Sequence, residues 1–150
     1  MKPLDDISWM ILRELQDDAR LSFRELGRRI GLTPPAVAER VRRLERDGVI
    51  TGYRAQIDLE SIGLPITAMV RATPNDGKKG TLEDVVTSLP EVRECLRVTG
   101  AEHVWMKISA ASLGHLDEVL HDVWEVADTT TNVVLSTLVD QRPVEPSMMR

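Results

Sequence analysis

The sequence predicts an α+β protein, with an N-terminal winged helix-turn-helix followed by a βαββαβ domain of ferredoxin-like arrangement. Two observations predict this fold. Apolar residues recur at helical spacing in three capped segments before residue 48, and strand and helix patterns alternate over residues 66–139. Between these regions Gly63 and Pro65 break the pattern, which indicates a linker.

The first two helices carry start signals. Asp5 or Asp6 is placed to cap the first helix. Ser22 and Glu25 form a capping box for the second, in which each side chain satisfies the free N–H at the other position. Gly31 stands where a helix ends in the left-handed conformation. The predicted inward-facing residues are Ile7, Met10, Ile11 and Leu15 in the first helix and Phe23, Leu26 and Ile30 in the second.

The third helix follows after only Leu32 and Thr33. Thr33 is placed as its N-cap, and Pro34 occupies the first helical position, where a missing N–H is harmless. Gly48 closes the helix, and Val49–Tyr53 is predicted to form the strand and turn of a wing. Two capped helices joined by so short a turn are typical of a helix-turn-helix. The predicted buried stripe of the third helix is Val37, Val41 and Leu44.

The second half alternates between strands and helices. Strands are predicted over Ile66–Ala72, Val92–Thr99, Val104–Ala110 and Val133–Val139. Thr81 and Ser112 are placed to cap the two intervening helices, and Pro90 ends the first of them. The inward-facing residues of these helices are predicted to be Leu82, Val85, Val86, Leu89, Leu113, Leu116, Leu120, Val123 and Trp124.

Composition favours a cytoplasmic protein that forms oligomers. Apolar residues make up 42% and aromatic residues 3% of the chain, and neither half is long enough to bury a large core alone. No stretch approaches the ~20 apolar residues that span a bilayer, so no membrane partner is expected. The N-terminus lacks the apolar run of a signal peptide, and Cys95 has no second cysteine for a disulfide.

The net charge of −5 conceals a basic region. Arg20–Arg46 contains eight arginines against three acidic residues. If the apolar stripe of the third helix faces the core, its other faces present arginines to solvent. A helix fits the major groove of B-DNA, with base edges contacted from its N-terminal part and phosphates bound around it. The sequence therefore predicts double-stranded DNA as a partner.

Within this surface, Arg40 is predicted to bind a guanine in bidentate fashion. The predicted phosphate-binding residues are Arg24, Arg28, Arg29, Arg43 and Arg46. Pro35 and Ala36 can offer only apolar contact, for example to a thymine methyl group. The alternative is a solvated helix face with a simple Glu39–Arg43 pair; the capped preceding helix and short turn favour DNA binding. The predicted DNA-contacting residues are Ser22, Arg24, Arg28, Arg29, Thr33, Pro34, Pro35, Ala36, Glu39, Arg40, Arg43 and Arg46.

The chain resembles the Lrp/AsnC (leucine-responsive and asparagine) family of transcriptional regulators along nearly its whole length. The matching segments are Leu4-Asp5, Ile11-Leu12, Ala19-Arg20-Leu21-Ser22, Glu25-Leu26, Gly31-Leu32-Thr33, Ala36-Val37, Arg40-Val41, Leu44-Glu45, Gly48-Val49-Ile50, Gly52-Tyr53, Gly63, Val98-Thr99-Gly100, Thr129, Thr131 and Val133-Val134-Leu135.

The resemblance implies sequence-specific regulation of transcription and an amino-acid-sensing second domain that pairs strands across a homodimer. It also implies assembly of dimers, often to an octamer, with a small-molecule effector bound between dimers and no other cofactor. The implied location is the cytoplasm of a bacterium or archaeon, in association with the nucleoid. The effector-binding residues it implies are Val98, Thr99, Gly100, Ala101, Glu102, His103, Thr129 and Thr131.

The chain departs from the family pattern at the effector turn. The family has Asp at position 103, and this chain has His103, which is a poor partner for the ammonium group of an amino acid. His103 is a candidate for binding a carboxylate or for making binding pH-dependent, and a cap of the hairpin at a subunit contact is the alternative. Glu102 could replace the carboxylate, although strand alternation turns it to the other side. The Pro-Gly that the family has before Val126 is replaced by Trp124-Glu125.

Two other functions remain as alternatives. An architectural protein that compacts DNA without an effector would be consistent with the missing Asp. Some haem-pathway decarboxylases resemble this family, but the chain has no nucleophile motif, glycine-rich phosphate loop or metal-binding cluster. His115 and His121 are six residues apart and do not share a helix face, so no catalytic or metal site is predicted.

The expected domain organisation follows from these patterns. The DNA-binding domain is expected at residues 1–53, a linker strand at 54–65, the effector-sensing and dimerisation domain at 66–141, and a frayed tail at 142–150.

Overall fold

A computed structural model describes residues 4–100 and 102–148. The chain divides into two compact units. The first comprises Met1–Ala55 together with Val139–Arg150, and the second comprises Gln56–Leu138.

Three helices form the first unit: α1 (Asp6–Asp17), α2 (Phe23–Ile30) and α3 (Pro34–Arg46). Local signals set their ends. The Asp5 side chain accepts a hydrogen bond from the Ser8 N–H and caps α1, and Ser22 does the same for α2. Gly31 ends α2 with a φ of 74°, in the left-handed region. The fully buried core of the unit is Ile11, Leu26, Val37, Val41 and Leu44.

The turn between α2 and α3 requires a residue without a side chain at Gly27. A Cβ added at Gly27 would lie 2.4 Å from the carbonyl oxygen of Leu32. The chain comes this close because the Leu32 N–H donates to the Gly27 carbonyl at 2.9 Å. The sequence pattern did not single out Gly27, because its role depends on a contact that forms only when the turn closes.

Four expectations for this unit were wrong in detail. Met10 is 43% exposed, because it lies about 100° around α1 from the buried Ile11, and Phe23, the first residue of α2, is 41% exposed. No wing strand forms over Val49–Tyr53, and residues 54–65 of the linker contain no strand either. Without a neighbouring strand there is no hydrogen-bond ladder, and Val49 packs against the helical core instead. The predicted N-cap position of α3 is confirmed at Thr33, although the Thr33 side chain makes no capping bond.

The tail is not frayed over the residues that the structure describes. The Gln16 side-chain amide donates to the Val144 carbonyl at 3.1 Å, and its oxygen accepts from the Val144 N–H at 2.8 Å. Pro146–Met148 forms a turn of 3-10 helix. The tail and α1 enclose a cavity of about 370 Å³ lined in part by Trp9 and Met10. These bonds join residues 128 positions apart, which a local pattern does not reveal.

The second unit is a four-stranded antiparallel sheet with two helices, and it confirms the βαββαβ order. Its elements are β1 (Ile66–Pro74), α4 (Lys79–Ser88), β2 (Val92–Arg97), β3 (Val104–Ala110), α5 (Leu113–Trp124) and β4 (Ala127–Val133). The strands lie in the order β2-β3-β1-β4. In the register, Ala72 pairs with Val104 on one side and with Thr129 on the other.

One face of this sheet is covered and the other is open. Alternate residues of β1 and β3 pack with α4 and α5 into a single buried core that includes Val70, Met106, Leu82 and Val123. The intervening residues of the strands form the open face. Its large apolar side chains are exposed by 37–51% and are Met69, Leu96 and Trp105.

Several boundaries differ from the predictions. The last strand is Ala127–Val133 rather than Val133–Val139, because its threonine-rich stretch pairs with β1 and leaves Leu135 97% exposed. β2 stops at Arg97 rather than Thr99. α4 begins at Lys79, so Thr81 is not its N-cap. In α5, Leu113 and Trp124 are 61% and 43% exposed, respectively, whereas Val119 is buried.

Candidate nucleic-acid interface and effector turn

The solvent side of α3 is built by the burial of its apolar stripe. Val37, Val41 and Leu44 are at most 3% exposed, and this orientation turns the opposite side of the helix outward. Ala36 lies at the edge of that side and is half-buried. The exposed residues of this outward side are Thr33, Pro34, Pro35, Glu39, Arg42, Arg43 and Arg46. Arg42 was not among the predicted DNA contacts. Within the part of the chain that the structure describes, the Arg42 side chain makes no ion pair, so it is available to bind an anionic partner.

On α2, Glu25 holds two of the predicted phosphate-binding arginines. Its carboxylate lies 2.6 Å from Arg28 Nη2 and 3.1 Å from Arg29 Nε, and Arg29 also reaches Glu14 at 2.7 Å. The hydrogen bonds from Arg28 and then Arg29 lower the pKa of Glu25 to about 2. The expected reciprocal half of the capping box is therefore missing, because these arginines occupy the Glu25 carboxylate. Ser22 and Arg24 are exposed on the same helix end.

At the C-terminal end of α3, Arg43 and Arg46 both form ion pairs with Asp47. The Arg43–Asp47 distance is 3.5 Å and the Arg46–Asp47 distance is 3.9 Å, and both arginine side chains are more than 60% exposed. Such long, exposed pairs contribute little free energy. Arg43 pairs with Asp47 rather than with Glu39, so the alternative Glu39–Arg43 pair is not formed. Both arginines can turn toward an anionic partner at small cost.

Arg40 has a different environment from the one expected for a base-contacting residue. It flanks the buried stripe, three residues after Val37, and its guanidinium faces α1. Arg40 Nη1 lies 2.7 Å from Asp5 Oδ2 and 3.1 Å from Asp5 Oδ1. Hydrogen bonds from Ser8 and then from Arg40 hold the pKa of the Asp5 carboxyl well below its usual range. Asp5 was recognised in the sequence only as a helix cap.

The effector turn lies on one side of β1, and β4 with its threonines lies on the other side. The Val98 N–H donates to the His103 carbonyl at 3.1 Å, and the His103 N–H donates to the Ala72 carbonyl at 3.0 Å. Ala72 in turn pairs with Thr129 of β4. The fold thus brings together two segments that the sequence separates by about 30 residues. Ala101, which was predicted to belong to this turn, lies outside the described residues.

Glu102 and His103 precede β3, and their side chains contact different elements. Glu102 lies on the side of Arg71, whose Nη1 donates to Glu102 Oε1 at 3.0 Å. The His103 side chain is 14% exposed, and its Nε2 lies 2.9 Å from Glu83 Oε1 of α4. The Glu102 carboxylate is therefore paired with Arg71 of β1.

Glu83 is the functional candidate that the sequence analysis missed. One of its oxygens lies within 2.9 Å of His103 and within 2.6 Å of Arg97. The hydrogen bond from His103, followed by the charge of Arg97, lowers the pKa of Glu83 below its ordinary value. This trio places a carboxylate beside the turn in spite of the change at position 103. No sequence signal connects Glu83 with a turn 20 residues further along the chain.

The threonines of β4 differ in their surroundings. Thr129 Oγ1 accepts a hydrogen bond from Trp124 Nε1 at 2.8 Å, and Thr131 is exposed beside Val70 of β1. Thr99 and Gly100 of the turn are also exposed, while Val98 is half-buried. The exposed edge of this region consists of the turn and the adjacent part of β4.

His115 lies at the start of α5. The Ser112 hydroxyl accepts from the His115 N–H at 3.0 Å, which confirms the predicted cap of α5, and His115 Nε2 lies 3.4 Å from Glu91. Across residues 4–100 and 102–148, no cluster of three or more His, Cys, Asp or Glu is placed to hold a metal ion. Within the same residues, no helix has the length and apolar character to cross a membrane.

Two protein-family models match this chain, one in its N-terminal part and one in its C-terminal part. Residues 4–51 match the model described as winged helix-turn-helix DNA-binding, and residues 67–144 match the Lrp/AsnC ligand binding domain.

Individual relatives match over nearly the full chain. The transcriptional regulator LrpC of Bacillus subtilis is 38% identical over 90% of this chain and 94% of the relative. The leucine-responsive regulatory protein of Escherichia coli is 38% identical over 89% and 86%, respectively.

Solved structures agree with the fold. The structure of B. subtilis LrpC has a TM-score of 0.87 and covers 94% of this chain and 100% of that protein. A feast or famine regulatory protein from M. tuberculosis, complexed with L-methionine, is 33% identical, with a TM-score of 0.87 and coverage of 96% and 100%.

Proposed function

The chain belongs to the Lrp/AsnC family of transcriptional regulators, and we propose that it regulates transcription by binding double-stranded DNA and responding to an amino acid or a related small molecule. The observation that carries the DNA-binding part is the exposed arginine side of α3, which the buried stripe orients away from the core.

The DNA contacts divide by position on the helices. We place the N-terminal part of α3 against base edges, because it carries Thr33, Pro34, Pro35, Ala36 and Glu39 and enters the groove first. Positive side chains around it bind phosphates, and Ser22 supports the start of α2 at the same surface. The proposed phosphate contacts are Arg24, Arg28, Arg29, Arg42, Arg43 and Arg46.

A salt titration of DNA affinity tests this division. Replacing Arg46 with Ala removes one phosphate contact, so affinity falls for all sequences and the slope of log K against log salt decreases by about one unit. Arg93→Ala is the matched control, because Arg93 is an exposed arginine of β2 in the other compact unit. Equal slopes for Arg46→Ala and wild type would contradict the phosphate assignment.

We propose that the effector binds at the exposed edge formed by the turn of residues 98–103 and β4. Support comes from the position of the turn and Thr129 on the two sides of Ala72 of β1, and from the L-methionine complex of the M. tuberculosis relative. Glu83 and Arg97 form an ion pair beside the turn at 2.6 Å, and both charged groups of an amino acid would find a partner of opposite sign by exchanging with this pair. The proposal requires no catalytic residue and no further cofactor.

A thermal-shift screen of the amino acids tests effector binding. A ligand that binds only the folded state stabilises it by RT ln(1 + [L]/Kd), about 2.7 kcal/mol at a hundredfold excess over Kd. Selective stabilisation by one amino acid, lost in Glu83→Gln, supports sensing. A uniform absence of response supports instead the architectural alternative, in which DNA is compacted without an effector.

We propose a homodimer formed through the open face of the sheet, with dimers assembling further, as far as an octamer. Apolar side chains that a monomer leaves in water, such as Trp105 and Leu96, are stabilised by burial against a second copy. The chain mass is 16.8 kDa, so light scattering separates monomer, dimer and octamer. Trp105→Glu should shift the mass toward the monomer, whereas an unchanged assembly would exclude this face. The site of action we propose is the nucleoid of a bacterial or archaeal cytoplasm.

A further inference from the structure

Arg40 is held against the protein more closely than its neighbours on the DNA-facing helices. Its side chain is 33% exposed, against 39% for Arg29, 61% for Arg43, 66% for Arg46 and 73% for Arg28. A single guanidinium nitrogen contacts both oxygens of Asp5 at 3.1 and 2.7 Å. This nitrogen is therefore directed toward the start of α1 rather than toward the outward side of α3.

Asp5 performs two tasks with one carboxylate. Its Oδ1 accepts the Ser8 N–H at 2.9 Å, which caps α1, and both oxygens accept from Arg40. The start of α1 is thereby tied to the middle of α3 across 35 residues of sequence. Beneath this bond, Ile11 of α1 and Val41 of α3 share the same apolar core. Apolar packing holds the two helices together, while the directional bond restricts rotation of α3 about its own axis.

We propose that the Asp5–Arg40 ion pair is a clamp that sets the orientation of α3, and that Arg40 is a positioning residue rather than a DNA contact. This inference rests on the proposed DNA-binding function. A small rotation of α3 would displace Thr33, Pro35 and Glu39 relative to the base edges. It would disturb the flexible arginine–phosphate contacts much less. The clamp therefore contributes to discrimination between sequences more than to general affinity for DNA.

The clamp can be removed without unfolding the protein. Exposed ion pairs contribute little to folding free energy, and asparagine caps a helix as well as aspartate does. Asp5→Asn therefore keeps the cap of α1 and removes the charge that holds Arg40. Asp6→Asn is the matched control, because Asp6 is an exposed acidic residue in the first turn of the same helix. Arg40→Lys keeps a positive charge and is expected to restore part of the function lost in Arg40→Ala.

The test is a double-mutant cycle on DNA affinity. The probes are a duplex that the wild-type protein enriches from a random library and a duplex of random sequence. We expect Asp5→Asn and Arg40→Ala each to weaken binding to the enriched duplex by about fivefold, because the loss cannot exceed what an exposed ion pair contributes to holding α3 in place. Binding to random sequence and the salt slope should stay within twofold of wild type. The affinity of the double variant for the enriched duplex should be no lower than that of the single variant that binds less tightly.

A direct DNA contact by Arg40 predicts a different pattern. Asp5→Asn would then free the guanidinium and leave affinity unchanged or increased, while Arg40→Ala alone would reduce it; this result would overturn the clamp. Amide chemical shifts of α3 without DNA give a second measurement, since a clamp requires both single variants to shift the same α3 signals. Failure of the wild-type protein to enrich any duplex would count against the proposed function itself, whereas the α3 shifts still decide the clamp.

Discussion

Replacing Gly27 with Ala should destabilise the helix-turn-helix, although alanine is the better helix former. The added Cβ would lie 2.4 Å from the Leu32 carbonyl oxygen and 3.4 Å from Val37 Cγ2. The carbonyl cannot move away freely, because Leu32 is bonded through its N–H to Gly27. The substitution therefore has to displace the turn that separates α2 from α3.

The magnitude follows from two opposed effects. Helix propensity favours alanine over glycine by about 1 kcal/mol. Overpacking against well-packed neighbours costs about 1–3 kcal/mol, and a contact this short with backbone belongs at the upper end. We expect a net loss of about 2 kcal/mol, which lowers the Tm of a unit of this size by about 8–16 °C.

Calorimetry of Gly27→Ala beside Gly80→Ala measures this effect. Gly80 lies in α4 with no atom within 4 Å of its added Cβ, so the same change there should leave Tm equal or raise it. DNA affinity of Gly27→Ala should fall together with its stability. A Tm for Gly27→Ala at or above that of wild type would refute the argument from the close approach.

Three further predictions follow from the first unit. Because the folded-state pKa of Glu25 is lowered from 4.5 to about 2, its contribution is present above pH 4.5 and is lost as pH falls toward 2. The Glu25→Gln variant should therefore be less stable than wild type above pH 4.5, and the difference in free energy of unfolding should become smaller as the pH falls over this range. A difference that does not change with pH would contradict this. Ser22→Ala should cost about 1 kcal/mol in urea unfolding through loss of the cap, and a change below the error of the method would show that the cap is dispensable. Gln16→Ala should accelerate hydrogen exchange at the Val144 amide without changing DNA affinity, and unchanged protection there would argue against docking of the tail.

Signals that act over three or four residues made the helices predictable. A capping serine, an N-terminal proline and a glycine after the last turn each act on backbone groups within one turn of themselves, as Ser22, Pro34 and Gly31 do. The alternation of apolar residues also indicated which residues of β1 and β3 point to the covered face of the sheet. These local rules, with the family resemblance, led to the fold and the DNA-binding class.

The last strand shows where a local pattern is insufficient. The apolar stretch Val133–Val139 has the composition of a strand, yet Ala127–Val133 is the segment that pairs with β1. An edge strand forms from the segment whose backbone can reach the free hydrogen-bonding groups of the neighbouring strand. The length of α5 and the turn after it determine that reach, and composition does not contain this information.

The sequence by itself determined the two-part fold, the arginine-rich side of α3 and the change of Asp to His103 at the effector turn. Only the tertiary structure decided which charged groups are already paired. It directs Arg40 to Asp5 and places Glu83 against His103, across 35 and 20 residues of chain. The reason is that ion pairs depend on side-chain directions where separate elements meet, whereas periodicity specifies only the side of a helix or strand on which a residue lies.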